Sequence, residues 1–593
     1  MKRMRTRFAA AAMALAVTVP FWLNTTPARG VVTPNRVLIV LFDQMVPKYA
    51  DQFNMPNFRA LRGQGTSFKN AYLGYMASET VISHNVIVSG QLPSHMGWVD
   101  EAYRDNDGVI AATSYGTPVG AMHITGDFGQ SQFNAIVSDA GYPKLQDYLH
   151  GVSQANASKQ FIMVGEKNYA VRSAIAATGT ATNLIAVHLS SGNTTNIGTL
   201  PGGATCVANV GPTFREPSGY RVPDYLRTEG VTTVGTTTYC GRYVINADRT
   251  TNNYGTLDAF PSWLYPEDGN RFFPGTDATA QAGHTGGDVW ATDAAIQMMG
   301  AENWAGMFVT LGGIDKAGHM WGAQQDANTF AGDCNAANDA LRGANQTHVR
   351  CAAEIADAQL GKLRTAVAAY DAAHGGETMI VLTADHGATY GKAFYGKRTV
   401  RASDSNWYYG PNVYDGGVID HVTYNSPSPS LAPLLATNNV DFSYQSTAIE
   451  AWLLDNSASK MDTAAAAMLK TPGVIAAYVH EGDRFQLYGK RGMTPSERDW
   501  WSQHGQELVD TMAASNGPDI VGLLHDQTGY GAYGDHGGAQ KDVQRVPVVF
   551  WSPSMAGGDT VNGGFRTIDI LPTILQAMGI PAGPMDGSAW SLG

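Results

Sequence analysis

The chain has 593 residues, 44% of them apolar, which is enough for a large buried core and more than one structural unit. Its 51 acidic and 39 basic side chains give a formal net charge of −12 at pH 7. This acidic balance argues against a nucleic-acid-binding protein, which needs a basic surface, so no stable nucleic-acid partner is expected. It leaves room for a small anionic ligand at a local site.

The first 28 residues have the order of an export signal. Four cations are followed by an apolar run from Phe8 to Leu23 and then by small and polar residues. The run is about 16 residues long and contains Pro20, which makes it short for a membrane-spanning helix. The sequence therefore predicts a cleaved signal peptide over residues 1–28 and a secreted or periplasmic protein without a membrane span after signal removal.

Apolar strands alternate with helical patterns along the rest of the chain. The predicted strands are Val37–Phe42, Gln160–Val164, Met307–Leu311, Thr378–Thr383, Val474–Val479, Ile520–Leu524 and Val546–Trp551. The predicted helices are Met55–Gly65, Asp288–Met299, Val349–Ala373, Glu497–Ala514 and Ile568–Met578. This alternation predicts an α/β fold of three layers, in which helices cover both faces of a mostly parallel sheet.

Two stretches lack this periodicity. Residues 190–287 are rich in Gly, Thr, Asn and Pro and are predicted to form an insertion or cap, and residues 391–446 are predicted to form a second loop-rich insertion. The catalytic core would then comprise residues 29–189, 288–390 and 447–593.

The four cysteines are Cys206, Cys240, Cys334 and Cys351. An even number in an exported chain predicts disulfides, and proximity in sequence favours the pairs Cys206–Cys240 and Cys334–Cys351. Free buried thiols are the alternative.

Three of the apolar strands lead to acids. Asp43 follows the first strand directly, Asp315 comes four residues after Leu311, and Asp385 comes two residues after Thr383. A single acid at a strand end is usually a cap or turn residue. Because ligands of open α/β sheets bind beyond the carboxyl ends of the strands, three such acids together indicate a functional site.

Histidines accompany these acids. His319 lies four residues after Asp315, His386 follows Asp385, and His536 lies in a glycine-rich loop. Each histidine alone is more often a structural hydrogen-bonding residue. Together, carboxylate and imidazole groups without a thiolate suit zinc, or less specifically manganese or iron.

In these residues the chain resembles the alkaline phosphatase superfamily, and most closely its type I phosphodiesterase and nucleotide pyrophosphatase branch. The segment 78–84, with the sequence Ser-Glu-Thr-Val-Ile-Ser-His, resembles the nucleophile segment of that family. The segments that resemble its later metal motifs are Asp315 to His319, Thr383 to Gly387 and Asp535 to Gly537. The resemblance implies an alkaline phosphatase-like fold.

The resemblance also implies two divalent metal ions, expected to be zinc. One ion would be held by Asp43, Thr80, Asp385 and His386, and the other by Asp315, His319 and His536. Two such ions can bind the attacking and leaving oxygens of an in-line displacement. Thr80 would be the nucleophile and would form a phosphothreonine. A helix-capping role for Thr80 is the alternative, and the two roles are compatible.

Three further residues are candidates for contacts to substrate phosphoryl oxygens: Lys167, Arg172 and Asn85. Solvated surface charges are the alternative for Lys167 and Arg172. His84 and His95 are predicted to be structural. Glu101 stands where the branch usually carries an Asn donor, and because an ionised carboxylate has no proton to donate, Glu101 is not expected to serve as that donor.

The leading functional prediction is an exported phosphodiesterase or nucleotide pyrophosphatase acting on a small phosphate ester. An alkaline phosphomonoesterase is the first alternative, since the metal ligands alone do not separate the two. A sulfatase is disfavoured because residues 78–84 lack the C/S-x-P-x-R context of that group. A non-catalytic binding protein on the same fold is the second alternative, and the intact Thr80 argues against it. The sequence gives no indication of the oligomeric state.

Overall fold

The computed structural model describes residues 33–113, 128–152, 159–165, 167–177, 184–190, 283–315, 346–389, 431–530, 534–555 and 557–592. Short stretches at 122–123, 213–214, 227–234, 237–244, 398–400 and 407–409 and the single residues 223, 318 and 323 are also described. The predicted signal peptide and His319 lie outside the described residues. So do Cys206 and Cys334, and only the backbones of Cys240 and Cys351 are described. The two disulfides therefore stay predictions.

The strands are β1 Arg36–Phe42, β2 Thr66–Phe68, β3 Ala102–Tyr103, β4 Met122–His123, β5 Gln160–Gly165, β6 Leu184–Ser190, β7 Thr213–Phe214, β8 Arg227–Val234, β9 Thr237–Val244, β10 Trp304–Leu311, β11 Thr378–Thr383, β12 Arg398–Val400, β13 Trp407–Tyr409, β14 Val440–Gln445, β15 Ala448–Leu453, β16 Val474–Glu481, β17 Arg484–Lys490, β18 Ile520–Leu524, β19 Val549–Trp551 and β20 Thr560–Val561.

The α-helices are α1 Tyr49–Gln52, α2 Pro56–Gln64, α3 Thr80–Ser89, α4 Pro93–Met96, α5 Gln130–Ala140, α6 Leu145–Asp147, α7 Asn168–Ile175, α8 Gly283–Ala301, α9 Gln346–His374, α10 Ala432–Leu435, α11 Ala458–Lys470, α12 Pro495–Asp510, α13 Lys541–Gln544 and α14 Ile570–Ala577. A π-helical turn follows α6 at Tyr148–Val152, and a 3₁₀ turn precedes α14 at Thr567–Asp569.

The main sheet has nine described strands in the order β20-β2-β19-β11-β1-β10-β5-β6-β7. The run from β11 to β6 is parallel throughout. Strand β1 lies at its centre between β11 and β10, and every residue of β1 is buried. A strand buried on both faces requires an unbroken apolar run, as Val37 to Phe42 supplies. The predicted α/β fold with a mostly parallel sheet is confirmed.

Helices pack on this sheet through its buried side chains. Helix α8 contacts β10 and β5 and packs along α9, while α7 contacts β5 and β6 and packs on α3. Helix α3 is buried on all sides and ends at Gly90, whose φ of 65° lies in the left-handed region that favours glycine. Every residue of α3 thus packs against the protein interior, including Thr80, the first residue of the helix.

A second sheet of five antiparallel strands has the order β14-β15-β18-β16-β17. Two segments predicted as strands of the main sheet, Val474–Val479 and Ile520–Leu524, belong to this sheet instead. Both of its faces are covered: Val474 and Ala477 pack in one apolar cluster, whereas Ile475 and Tyr478 pack in another that includes Met76. Burial on both faces gives the same continuous apolar run as a parallel strand, and this explains the misassignment.

The stretches predicted to be irregular contain some regular structure. Strands β8 and β9 form an antiparallel hairpin within residues 190–287. Strands β12, β13 and β14 fall within residues 391–446. The many threonines of β8 and β9 contribute to a loop-like composition, but threonine is β-branched and favours extended backbone.

Among the residues that the structure describes, no helix combines the length and the hydrophobicity needed to cross a bilayer.

Candidate metal centre and nucleophile

The three predicted acids meet at one edge of the main sheet. Asp43, Asp315 and Asp385 follow the neighbouring parallel strands β1, β10 and β11, and all three are fully buried. The backbone N–H of Asp43 donates to the carbonyl of Leu311 at 3.0 Å, which continues the pairing of β1 with β10 up to the acid. Parallel pairing thus brings together side chains that lie hundreds of residues apart in the chain.

Two groups of potential metal ligands form around these acids. The ligand atoms of Asp43, Asp385 and His386 lie within 4.8 Å of one another, and so do those of Asp315, His386 and His536. His386 therefore belongs to both groups, whereas the sequence predicts it as a ligand of one ion. His319 lies outside the described residues, so its predicted place in the second group stays a prediction.

The two imidazoles are oriented with their Nε2 atoms toward the acids. His386 Nδ1 lies 3.1 Å from the carbonyl of Gly387, and His536 Nδ1 lies 3.0 Å from the carbonyl of Ser78. Because a carbonyl only accepts, each Nδ1 is the protonated nitrogen and each Nε2 carries the lone pair. His386 Nε2 lies 3.5 Å from Asp385 Oδ2, and His536 Nε2 lies 3.7 Å from Asp315 Oδ1.

This donor set fits a divalent metal ion. His386 Nε2 and Asp385 Oδ2 are buried and have no hydrogen-bond partner among the described residues, and such atoms are costly to bury unless a cation binds them. Backbone carbonyls fix both imidazoles, which is the usual outer-sphere support of metal-binding histidines. Nitrogen and carboxylate donors without sulfur suit zinc.

The pKa shifts of these buried groups also favour a bound cation. Burial raises the pKa of Asp43 well above its usual value, and the neighbouring Asp385 adds to this shift. Burial also raises the pKa of Asp385, to about 6. The pKa of His386 is lowered by burial and by His536. A bound cation would reverse the penalty on the acids by favouring their charged forms.

Lys167 is the described side-chain cation closest to these acids. Its Nζ lies 2.6 Å from Asp43 Oδ2 and 2.6 Å from Asp315 Oδ2, and it donates to Thr80 Oγ1 at 3.4 Å. Its side chain is only 2% exposed, so the surface alternative for Lys167 is wrong. Lys167 thus joins the acids to the hydroxyl group that the sequence predicts to be the nucleophile.

Thr80 stands beside the acid groups at the start of α3. It is the first residue of this helix, and the N-cap position is held by Glu79 without a side-chain cap hydrogen bond. Glu101 Oε1 instead accepts a hydrogen bond from the N–H of Val81 at 3.0 Å. The capping alternative for Thr80 is therefore wrong, because Glu101 supplies the acceptor from another segment.

His84 fixes the same turn. Its Nδ1 lies 2.8 Å from the carbonyl of Thr80 and its Nε2 lies 2.9 Å from Thr310 Oγ1. Both ring nitrogens are engaged, and burial lowers the pKa of His84 to about 3, so the ring is neutral at ordinary pH. His95 is exposed and lies 2.9 Å from Asp586. These contacts fit the structural roles predicted for both histidines.

Asn85, another candidate for substrate contacts, is placed differently from Lys167. Asn85 uses its amide to donate to the Tyr142 hydroxyl at 2.7 Å and to Met96 Sδ at 3.0 Å, within the core. Its amide hydrogens are thus engaged away from the acids. The backbone carbonyl of Arg172 accepts from Gln130 Nε2 at 3.1 Å. The Asn85 contacts do not bring its amide to Thr80. The contact of Arg172 involves only its backbone, so the predicted contact between its guanidinium group and the substrate stays a prediction.

Ser78 was not predicted, although it ties the Thr80 segment to the His536 loop. Its Oγ accepts from the N–H groups of Gly537 and Gly538 at 2.8 and 2.7 Å, and its carbonyl orients His536. Gly537 has a φ of 96°, and a Cβ there would overlap Glu79 Oε1. No local pattern marks these contacts, because they join residues more than 450 positions apart.

Glu101 belongs to a buried group of acids behind Thr80. Burial and the charge of Glu101 raise the pKa of Glu79 well above its usual value, and a Glu79–Glu101 hydrogen bond adds to this shift. The Tyr444 hydroxyl donates to Glu79 Oε2 at 2.7 Å. Glu101 thus serves as a helix acceptor, which agrees with the expectation that it is not a donor to a phosphoryl oxygen.

Comparison with known proteins yields a local sequence match and a fold match. Residues 37–115, which include Asp43 and Thr80, match the family described as type I phosphodiesterase / nucleotide pyrophosphatase. No curated protein matches the chain.

Among solved structures, wild-type alkaline phosphatase PafA is similar at 15% identity and a TM-score of 0.56, with 93% of this chain and 97% of that chain covered. A multiply substituted variant of PafA is similar at 14% identity and a TM-score of 0.54, with the same coverage. Murine ectonucleotide pyrophosphatase / phosphodiesterase 5 gives 10% identity and a TM-score of 0.45, also with 93% of this chain and 97% of that chain covered. At these identities the PafA matches show that the fold is shared.

The role of Glu101 can be tested by replacing its carboxylate. In Glu101→Gln an amide oxygen still accepts from Val81, so we expect kcat/KM for a phosphodiester to stay within about tenfold, or ~1.4 kcal/mol, of wild type. In Glu101→Ala the Val81 N–H loses its acceptor, and we expect a loss of about 1 kcal/mol in the free energy of unfolding. Steady-state kinetics and denaturant unfolding measure the two effects. A hundredfold loss of kcat/KM in Glu101→Gln would show instead that the carboxyl group takes part in the reaction.

Proposed function

We propose that this chain is a phosphoric ester hydrolase of the alkaline phosphatase superfamily and that it cleaves its substrate through a phosphothreonine at Thr80 beside two divalent metal ions. The observation that carries the proposal is the meeting of Thr80, Lys167 and two groups of acid and imidazole ligands. A hydroxyl group, a cation and potential metal ligands in contact are what phosphoryl transfer requires.

The residues that would hold the ions come from the two groups described above, with Thr80 and His319 added from the sequence prediction and the shared His386 placed with the first ion. Asp43, Asp385 and His386, with Thr80, would hold one ion, and Asp315 and His536, with His319 as predicted from the sequence, would hold the other. When bound, such ions supply Lewis acidity that lowers the pKa of a hydroxyl group and offsets charge on the oxygens of phosphorus. The donor set favours zinc.

The chain's own residues then account for the rest of the reaction. Thr80 Oγ forms a bond to phosphorus while the bond to the ester oxygen breaks, and the alcohol leaves. Lys167 Nζ lies close enough to Thr80 Oγ1 to donate to a phosphoryl oxygen bound there. Water then hydrolyses the phosphothreonine and regenerates the Thr80 hydroxyl group.

For the substrate class, a phosphodiester or nucleotide pyrophosphate is the first candidate, because the local sequence match is to that family. An alkaline phosphomonoesterase is the second candidate, and Lys167 is the observation that favours it. A monoester carries one more negative charge than a diester, and a buried cation beside the nucleophile offsets that charge. In either case the substrate is a small phosphate ester. A non-catalytic binding protein is disfavoured, because Thr80 and the described ligands are all present.

We also propose that the protein is exported to a secreted or periplasmic location and carries two disulfides. These proposals rest on the signal-like residues 1–28 and on the even number of cysteines.

Metal removal is the first test. We expect chelation to abolish hydrolysis of aryl phosphates, and added zinc to restore it more readily than magnesium, because magnesium prefers a site built of oxygen ligands. Initial rates and the metal content of the same sample measure this. Full activity in a preparation shown to be metal-free would contradict the proposal.

The nucleophile is tested by two substitutions. Thr80→Ala removes the hydroxyl group, so we expect a loss of roughly a thousandfold or more in kcat with retained metal content. Thr80→Ser keeps a hydroxyl group and serves as the matched control, with part of the rate retained. A wild-type rate for Thr80→Ala would remove Thr80 from the mechanism.

The two substrate classes are separated by Lys167→Met, which keeps much of the side-chain volume and removes the charge. If Lys167 binds phosphoryl oxygens, we expect kcat/KM for an aryl phosphomonoester to fall about tenfold further than that for the matched diester. A hydrogen bond to a charged group is worth roughly 1.5–3 kcal/mol. Metal content is measured in parallel, since Lys167 also contacts two ligands. Equal losses on both substrates would argue against a role in monoester recognition.

A further inference from the structure

The residue after Asp43, Gln44, donates hydrogen bonds to the carboxylates of the other two strand-end acids, Asp315 and Asp385. Gln44 is 1% exposed and lies at the end of β1. Its backbone N–H donates to Asp385 Oδ1 at 3.0 Å, and its side-chain Nε2 donates to Asp315 Oδ1 at 3.0 Å. It therefore joins one acid of each ligand group.

The same side chain also reaches the loop that carries His536. Gln44 Nε2 donates to the carbonyl of Gly534 at 2.7 Å. Since the amide nitrogen has two hydrogens, its contacts with Asp315 and Gly534 use both of them. Gln44 thus connects the segments of Asp43, Asp315, Asp385 and His536 by direct hydrogen bonds.

The backbone at Gln44 is in an unusual conformation. Its φ is 64°, which is uncommon for a residue other than glycine and carries a cost of roughly 1–3 kcal/mol. Gly318 leaves room for the side chain, because a Cβ on Gly318 would overlap Gln44 Oε1. Glycine would adopt this φ without that cost, so the presence of glutamine indicates that the hydrogen bonds of its amide offset it.

These contacts fix the orientation of two carboxylates. Asp385 Oδ1 accepts from the N–H groups of Gln44 and His386, both at 3.0 Å, so that Oδ2 is the oxygen left for a ligand. Asp315 Oδ1 is held by Gln44, while Asp315 Oδ2 faces Lys167. The backbone of Gln44 acts on the first ligand group and its side chain acts on the second.

We propose that Gln44 is a positioning residue for the metal centre and that its side-chain amide sets the affinity of the ion bound by Asp315 and His536. This inference rests on the proposed two-metal function. The ion bound by Asp43, Asp385 and His386 depends on the backbone N–H of Gln44, which a side-chain substitution leaves in place.

Zinc binding to substituted full-length protein tests this. Gln44→Met keeps the volume and removes both donors, and Gln44→Asn keeps an amide that is too short to reach Asp315 and Gly534, in a residue that tolerates positive φ. Zinc is titrated against a chromophoric chelator, and bound zinc per chain is measured by elemental analysis. We expect one of two ions to lose about 10- to 100-fold in affinity in both variants, while the other ion is retained.

Gln146→Met is the matched control. Gln146 is equally buried and its amide also makes two hydrogen bonds, but it donates to backbone carbonyls at the end of α7, at 3.3 and 3.4 Å, and not to the centre. We expect both zinc affinities to be unchanged in this variant. Circular dichroism identifies folded samples, and Gln44→Asn serves if Gln44→Met does not fold.

Four outcomes would overturn the inference. Wild-type affinity for both ions in a folded Gln44 variant would show that the amide has no such role. An equal loss for both ions, or the same loss in Gln146→Met, would indicate general damage instead of positioning. Wild-type protein that binds no zinc would overturn the proposed metal centre itself, and this result is visible before any variant is compared.

Discussion

The central constraint on this structure is the burial of negative charge at the ends of three parallel strands. Asp43, Asp315 and Asp385 are fully buried, and removing a carboxylate from water without a compensating partner is expensive. The surrounding residues reduce the cost of burying these carboxylates. Lys167 and Gln44 place donors on these acids, and the imidazoles of His386 and His536 face them with their lone pairs.

Thr80 is held to this charged edge from several directions. Ser78, which precedes α3, accepts hydrogen bonds from the glycine loop of His536. Glu101 accepts a hydrogen bond from the N–H of Val81 in the first turn of α3. Thr389 makes a reciprocal pair of hydrogen bonds with Asp535, at 2.9 and 3.0 Å, which joins the loop of His386 to the loop of His536. Preorganisation of this kind lowers the reorganisation that a reaction would otherwise require.

The sequence predicts the strand ends well and the supporting contacts poorly. Asp43 and Asp385 could be found because an apolar run that stops at an acid is a local signal. Ser78, Gln44 and Thr389 could not, because their partners lie far away in the chain and hydrogen bonds across such distances leave no periodic pattern. The sequence predicts His386 as a ligand of one ion, and order along the sequence does not reveal that its ring stacks on His536 with centroids 3.6 Å apart.

The second sheet was missed for a different reason. Its strand β14 does alternate apolar and polar residues, but it lies within the stretch 391–446 that is predicted to be loop-rich. Strand β16 is apolar on both faces, so its sequence resembles that of a buried parallel strand. The second sheet contacts the site directly. Tyr444 in β14 reaches Glu79 beside Thr80, and Met76 packs in the same apolar cluster as Tyr478.

The position of β1 has a consequence for how the protein is made. The strand at the centre of the sheet leaves the ribosome long before its partners β10 and β11, since Arg36 and Thr378 are 342 positions apart. Until those strands are synthesised, β1, with one arginine followed by six apolar residues, has no strand to pair with on either side. Such topologies fold slowly and expose aggregation-prone segments meanwhile. The native sheet can thus close only after β10 and β11 have been synthesised, and the export proposed above would require a chain that is still unfolded at that stage.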